Sequence, residues 1–263
     1  MSVNFSNNNF EGVAPPERIV NGYEVEPKFK YPAMVALYFN DGRRNRQFCG
    51  GTLYNGNTII TAAHCQGNNR QWTAKVHRHD LRMPEELEGG KTYKVTKVTD
   101  HPDYRGPRGS YHNDISIWKI DAPSGNRTNV ELDNGDYGKE QDLLLTTIGW
   151  GDTSDGGKGS PILFETKVPV YDYESCALSY SQAPGPVPLD VKYDKHICAG
   201  YPEGQTDSCQ GDSGGPLFAY ENGKQILTGV TSFGVGCALP GYPGVYTRVS
   251  NYLSWIKETI KSI

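Results

Sequence analysis

Short apolar stretches that alternate with polar residues recur along the whole chain, and they set the fold class. AMVALYF at 33–39, GGTLY at 50–54, TIITAAHC at 58–65, YKVTKVTDH at 93–101 and DISIWKI at 114–120 form one series. LLLTTIGWG at 143–151, ILFETKVPVY at 162–171, GPLFAY at 215–220, ILTGVTSFG at 226–234 and GVYTRVS at 244–250 form a second. Several repeat with a period of two, as a strand does when it buries one face. NDG at 40–42, NGN at 55–57 and ENG at 221–223 supply turns between them. Only SNYLSWIKETIKSI at 250–263 has clear helical spacing, with Tyr252, Leu253, Ile256 and Ile260 on one stripe and Ser250 as its cap. Two groups of about six strands predict an all-β chain of two small closed barrels and a C-terminal helix. The join falls near 125–140.

Composition agrees with this reading and narrows the partners. The 263 residues include 31 Gly, 17 Pro and 17 Tyr, which suits short strands joined by tight turns. A formal net charge of −4 argues against nucleic acid or an anionic membrane as partner. No apolar run approaches a membrane span. The opening MSVNFSNNNFEG has neither a basic segment nor an apolar one, so it is not read as a signal peptide. Residues 1–18 are polar and are read as a flexible extension. Cys49, Cys65, Cys176, Cys198, Cys209 and Cys237 include no C-x-x-C pair, which favours disulfides and an oxidising compartment over a thiolate metal site. The sequence by itself leaves the pairing open; nearest neighbours would give 49–65, 176–198 and 209–237.

The stretch DSCQGDSGGP at 207–216 fits neither a strand core nor a helix face. A serine set among glycines can stand clear of its backbone, because glycine tolerates close approaches and unusual angles. Ser213 is that serine; His64 follows a strand in TAAHC, and Asp114 opens another in NDISIWKI. Singly, each has a plain structural explanation: a histidine beside a cysteine, an aspartate forming a turn, a serine within one. Together they supply a nucleophile, a base to take its proton and a carboxylate to orient that base.

RIVNG at 18–22, TAAHC at 61–65, NDI at 113–115, GWG at 149–151, DSCQGDSGGP at 207–216, SFG at 232–234 and PGVYTRVSNYLSWI at 243–256 occur in this order. By this ordered set the chain resembles the trypsin-like serine proteases of the chymotrypsin fold. The resemblance implies two six-stranded antiparallel Greek-key barrels, about 19–130 and 131–263, with the active site in the cleft between them. It implies a catalytic role for His64, Asp114 and Ser213, and an oxyanion hole formed by the N–H groups of Gly211 and Ser213. It also supports the nearest-neighbour disulfides. Asp207 would lie at the base of the specificity pocket, with Ser208 near its floor and Gly234 and Gly244 as open walls. An aspartate there receives Arg or Lys. Ser232, Phe233 and Gly234 would pair with the substrate backbone, Phe233 standing where many relatives have tryptophan. Cleavage between Arg18 and Ile19 would free an ammonium that pairs with Asp212, so the chain is a precursor whose first 18 residues leave on activation.

Some features depart from the compact relatives. SQAPGPVPLD at 181–190 lengthens the span between Cys176 and Cys198 and is read as a semi-rigid lip or an idle surface loop. In HRHDLRMPEELEGG at 77–90, Arg78 stands near where calcium-binding relatives supply an acid. His77 and His79 alternate on one strand face without a third ligand. NFS at 4–6 and NRT at 126–128 match the glycosylation pattern. The expectation is a secreted, monomeric endopeptidase cleaving after Arg or Lys, with no metal and no cofactor. Its partners are protein or peptide substrates with exposed Arg or Lys sites, together with protein protease inhibitors. A narrow processing protease in a cascade and a non-catalytic binding protein of the same fold remain as alternatives.

Overall fold

The computed structural model describes residues 22–40, 45–67, 71–123, 128–152, 156–184, 189–204 and 208–263. After a two-residue strand β1 (Tyr23–Glu24) come β2 (Met34–Asn40), β3 (Asn45–Asn55), β4 (Thr58–Thr61), β5 (Gln71–Val76), β6 (Lys91–Asp100) and β7 (Ser116–Ile120). Strands β2 to β7 close into a barrel in the order β2-β3-β4-β7-β6-β5, every pair antiparallel. Its interior holds Leu37, Ile59, Trp72 and Trp118, with the two indoles edge to face at 5.0 Å. Trp72 and Ala74 turn inward on β5, so this strand carries the same alternation as its neighbours.

The second half differs from two symmetrical closed barrels. Strands β8 (Val130–Leu132), β9 (Leu144–Gly149), β10 (Phe164–Pro169), β11 (His196–Ala199), β12 (Pro216–Glu221), β13 (Lys224–Phe233) and β14 (Gly244–Arg248) join β1 in one sheet ordered β1-β10-β9-β12-β13-β14-β11. The sheet curls until β10 and β11 meet through a single bridge, Val170 to Ala199. Tyr171 N–H donates to Cys198 O and Gly200 N–H to Pro169 O, both at 2.9 Å. A ring of six strands is therefore present, closed by a bridge instead of a ladder. β8 runs parallel to β13, a departure from the antiparallel expectation. The reason is local: along β13, β14 reaches only Gly229 to Phe233, and β8 covers the edge at Gln225 to Leu227 that β13 would otherwise leave bare. At the β12–β13 hairpin Asn222 and Gly223 take φ of 49° and 76°, the positive angles that a two-residue turn of this type needs at both centres.

Helix α1 (Tyr173–Ser181) lacks the apolar stripe that betrays a helix in sequence, burying only Cys176 and Tyr180, one turn apart. Asp172 caps it by accepting the Ser175 N–H at 2.8 Å. At the C-terminus a 3-10 turn over Val249–Tyr252 precedes helix α2 (Leu253–Ser262). Ser250 is thus inside the turn and does not cap the helix, whose start is fixed by burial of Tyr252 and Ile256 instead. Three disulfides join Cys49 to Cys65, Cys176 to Cys198 and Cys209 to Cys237. Among the described residues no helix is long and apolar enough to cross a membrane.

The loop at 77–90 is organised by Arg78, whose side chain is 2 % exposed. Its Nε donates to Glu88 Oε2 at 2.6 Å, and its Nη2 to the carbonyls of Asp80 and Met83 at 3.1 and 2.7 Å. Glu88 Oε1 accepts the N–H groups of His79 and Asp80. The guanidinium supplies the positive charge on which these oxygens converge. Arg78→Ala is expected to cost about 3–5 kcal/mol, because Glu88 would stay buried without its partner. Thermal unfolding checks this, and a chelator should leave the midpoint of the unsubstituted protein unchanged. His77 and His79 do not share a strand face: β5 ends at Val76, and His77 takes φ of 54°. His77 stacks on Phe29, while buried His79 places Nε2 2.9 Å from Glu24 Oε1.

Candidate active site

His64 sits on the 3-10 turn Ala63–Cys65 that follows β4. The Cys49–Cys65 disulfide ties that turn to β3. Asp114 lies two residues before β7, fully buried. Its Oδ1 accepts the His64 backbone N–H at 2.8 Å, and its Oδ2 lies 2.7 Å from His64 Nδ1. Ser232 Oγ donates to the same Oδ2 at 2.5 Å. The Asp114 carbonyl accepts from Thr247 Oγ1 at 2.8 Å. The carboxylate is thus held from both halves of the molecule, and it fixes the ring so that Nε2 is the nitrogen left for chemistry. Burial works against the charged imidazole. The charge and hydrogen bond of Asp114 outweigh it, and the His64 pKa lies above the ordinary histidine value.

Ser213 enters from the other side, on the turn between Cys209 and β12. Its carbonyl accepts the Gly50 N–H at 2.8 Å. Gly214 follows at φ of 76°, and a Cβ there would lie 2.1 Å from Thr61 Oγ1, so the turn admits no side chain at that point. His64 and Ser213 line one cavity of about 260 Å³ with Tyr111, Ser208, Phe233, Gly234 and Gly244. Among the described residues, no acceptor takes the N–H of Gly211 or of Ser213. The cavity wall is aromatic: Phe233 stacks on Tyr111 at 5.1 Å and meets Tyr180 edge to face at 5.5 Å. The Cys209–Cys237 disulfide joins the serine turn to the segment carrying Gly236. Ser208 Oγ lies 3.1 Å from Tyr246 OH. Asp207, Arg18 and Ile19 lie outside the described residues, as do the rest of 1–21 and the prolines at 186 and 188 in the long loop.

Asp212, next to the serine, is fully buried. Its Oδ1 accepts the Gly151 N–H at 2.7 Å and its Oδ2 the Cys209 N–H at 3.0 Å. A Cβ at Gly149 would lie 1.9 Å from Oδ1, and one at Gly151 2.5 Å from Oδ2. The two glycines of GWG therefore form a slot for this carboxyl group. Burial pushes its pKa up to about 6, against the two N–H donors and with the neighbouring Asp152 charge. No cation pairs with Asp212 among the described residues. The potential metal ligands that crowd together here, Cys49, His64 and Cys65, include two sulfurs already joined to each other.

The profile of the Trypsin family matches residues 19–256. The chain belongs to the trypsin family. It is a serine endopeptidase, and its relatives include trypsins and a clotting-factor subunit. It is 38% identical to a trypsin of Saccharopolyspora erythraea, over 93% of this chain and 99% of that protein. A trypsin of Squalus acanthias is also 38% identical, over 94% and 98%. The clotting factor G beta subunit of Tachypleus tridentatus is 34% identical, over 92% of this chain and 79% of that protein. In this trypsin-family chain His64, paired with Asp114, lines one cavity with Ser213, so residues of three separate motifs lie together. What the sequence reading missed are partners far apart in sequence: the Ser232 hydroxyl on Asp114, Tyr111 against Phe233, and the glycine slot around Asp212. Ser232 appeared only as a backbone element, because nothing local reveals that its side chain turns 118 residues back.

Proposed function

We propose that this protein is a secreted endopeptidase that hydrolyses peptide bonds after Arg or Lys through an acyl-enzyme on Ser213. The observation that carries this reading is the His64–Asp114 pair facing a cavity shared with Ser213, Gly234 and Gly244. Ser213 Oγ attacks the carbonyl carbon while His64 Nε2 takes its proton; Asp114 holds the ring and stabilises the imidazolium. The N–H groups of Gly211 and Ser213 receive the developing oxyanion. His64 then protonates the leaving amine, and a water molecule, activated the same way, releases the acid. Ser232, Phe233 and Gly234 offer the strand edge that pairs with the substrate backbone. Asp207 pairs with the substrate cation, and a residue lacking that cation leaves the carboxylate desolvated. Three disulfides favour an oxidising, extracellular setting.

The test is a panel of peptides that differ only in the residue before the cut, assayed after limited cleavage at Arg18–Ile19. Arg and Lys should exceed Phe and Ala by orders of magnitude. Asp207→Ser should erase about 3–5 kcal/mol of that preference, since the cation would be buried without its partner. Equal turnover of the Arg and Phe peptides by the unsubstituted enzyme would refute the pocket assignment.

A further inference from the structure

We infer that Gln47 is a positioning residue for the oxyanion turn; this rests on the role proposed above for the Gly211 and Ser213 N–H groups. Gln47 lies on β3, in the first barrel. Its Nε2 donates to Gly211 O at 2.8 Å and to Cys49 O at 3.1 Å. Both neighbours are carbonyls, so only the amide nitrogen can face them, and the side chain has one acceptable orientation. The Cys49 contact holds the amide against its own strand. The Gly211 contact spans 164 residues of sequence and reaches the turn that carries the nucleophile.

The turn needs such a hold. Gly211 takes φ of 97°, and a Cβ on it would lie 3.0 Å from Gly151 Cα. Glycine is therefore required, and glycine restrains its two flanking peptides least. Because a trans peptide points its C=O and N–H in opposite directions, fixing one fixes the other. The peptide that carries the Gly211 N–H is held at its far side by the Asp152 N–H, which donates to Gln210 O at 2.6 Å. The next peptide is held by Gln47 at Gly211 O, while its own N–H, that of Asp212, donates to Cys209 O at 3.0 Å. Three residues further along β3, the Gly50 N–H holds Ser213 O. One strand thus grips the carbonyls of Gly211 and Ser213, whose own N–H groups have no protein acceptor among the described residues. Gln47 is the side chain in a set of contacts otherwise made by backbone.

Loss of the Gln47 donor leaves the Gly211–Asp212 peptide held through the Asp212 N–H alone, so the turn loosens at the Gly211 torsions and the two N–H donors on either side of that peptide no longer keep one spacing about the developing charge. The effect belongs to the transition state, where the oxyanion exists. Ground-state binding, held by the specificity pocket and the β13 edge, does not share it.

The experiment uses the activated enzyme with Gln47→Met, which keeps length and loses the donor, and Gln47→Asn, which is too short to reach. Each is assayed on an arginine p-nitroanilide, whose leaving group makes no peptide contacts of its own. Inhibition is measured with the matching peptidyl aldehyde, which forms an oxyanion on Ser213, and with benzamidine, which reads the specificity pocket alone. Both variants should lose about tenfold in kcat, the scale of one hydrogen bond. They should lose the same factor in aldehyde affinity, with KM and benzamidine affinity held within about twofold. Unchanged kcat and aldehyde affinity would overturn the role, as would parallel losses in KM and benzamidine binding, which signal general loosening. The unsubstituted enzyme separates the two levels of the claim. If it binds the aldehyde no better than the matching alcohol, the oxyanion assignment fails; if it does bind it better and Gln47→Met keeps that gain whole, only the Gln47 role fails.

Discussion

Ser213→Ala is expected to reduce kcat/KM by about 10⁴–10⁶-fold, because a nucleophile and its base act as one unit and loss of either removes the pathway. The fold should survive. Ser213 is held through its carbonyl, by the Gly50 N–H, and the substitution leaves that bond in place. Stability should therefore change by no more than about 0.5 kcal/mol. Asp114→Asn probes the same unit from its other end. An amide cannot accept from His64 Nδ1, from the His64 N–H and from Ser232 Oγ as the carboxylate does. The ring is then free to present the wrong tautomer, at a cost of about 10⁴ in rate. The pH profile carries a sign. His64 must be neutral to act as base, so activity falls as pH drops through its pKa, and Asp114 holds that pKa above the ordinary histidine value. The acid limb should therefore be centred above about pH 6.5. In Asp114→Asn it should move down, since burial remains and the stabilising charge is gone. Peptide kinetics across pH, together with thermal unfolding, check each statement.

The second large effect concerns activation. Cleavage after Arg18 should raise turnover by orders of magnitude, and Asp212→Asn should permit cleavage yet leave activity low. The basis is the carboxyl group between Gly149 and Gly151, buried and without a cation among the described residues. Its folded pKa, about 6, exceeds the ordinary 3.8. A raised folded value means that the folded state holds the proton more tightly than the unfolded one. Without a cation partner, this group therefore stabilises the fold below about pH 4, and that contribution is lost as pH rises to about 6. At neutral pH the buried charge costs on the order of 3 kcal/mol, the difference between 6 and 3.8 converted at 1.36 kcal/mol per unit. An ammonium at Ile19 would offset that cost and stabilise the turn that bears Gly211 and Ser213. Removing the carboxylate leaves the ammonium unpaired, a loss of about 3–5 kcal/mol. N-terminal sequencing and peptide kinetics on one sample test the pair of statements. Full activity with residues 1–18 still attached would exclude insertion as the trigger.

The fold was legible where a strand buries one face. AMVALYF and DISIWKI alternate because the first barrel has one interior, and they became β2 and β7. Helix α1 was not legible, since Cys176 and Tyr180 alone face inward and the other positions leave no stripe. The cap at Ser250 was misplaced because a 3-10 turn and a helix share the same early spacing. Closure of the second sheet by one bridge, and the parallel β8, depend on pairings between distant segments that no local pattern encodes. The site divides in the same way. His64, Asp114, Ser213 and the glycines around them stand in motifs because each has a local steric or chemical requirement. Ser232 on Asp114, and Gln47 on Gly211, act across the cleft, and only the assembled chain brings them together.

In the proposed mechanism Ser213 becomes acylated, with His64 as its base. Mass mapping of the cleaved protein after reaction with an organophosphate tests it most directly. One label per molecule is expected, on Ser213, formed in step with loss of activity and absent from His64→Ala. Label on another serine, or full turnover by protein whose Ser213 is already blocked, would contradict it.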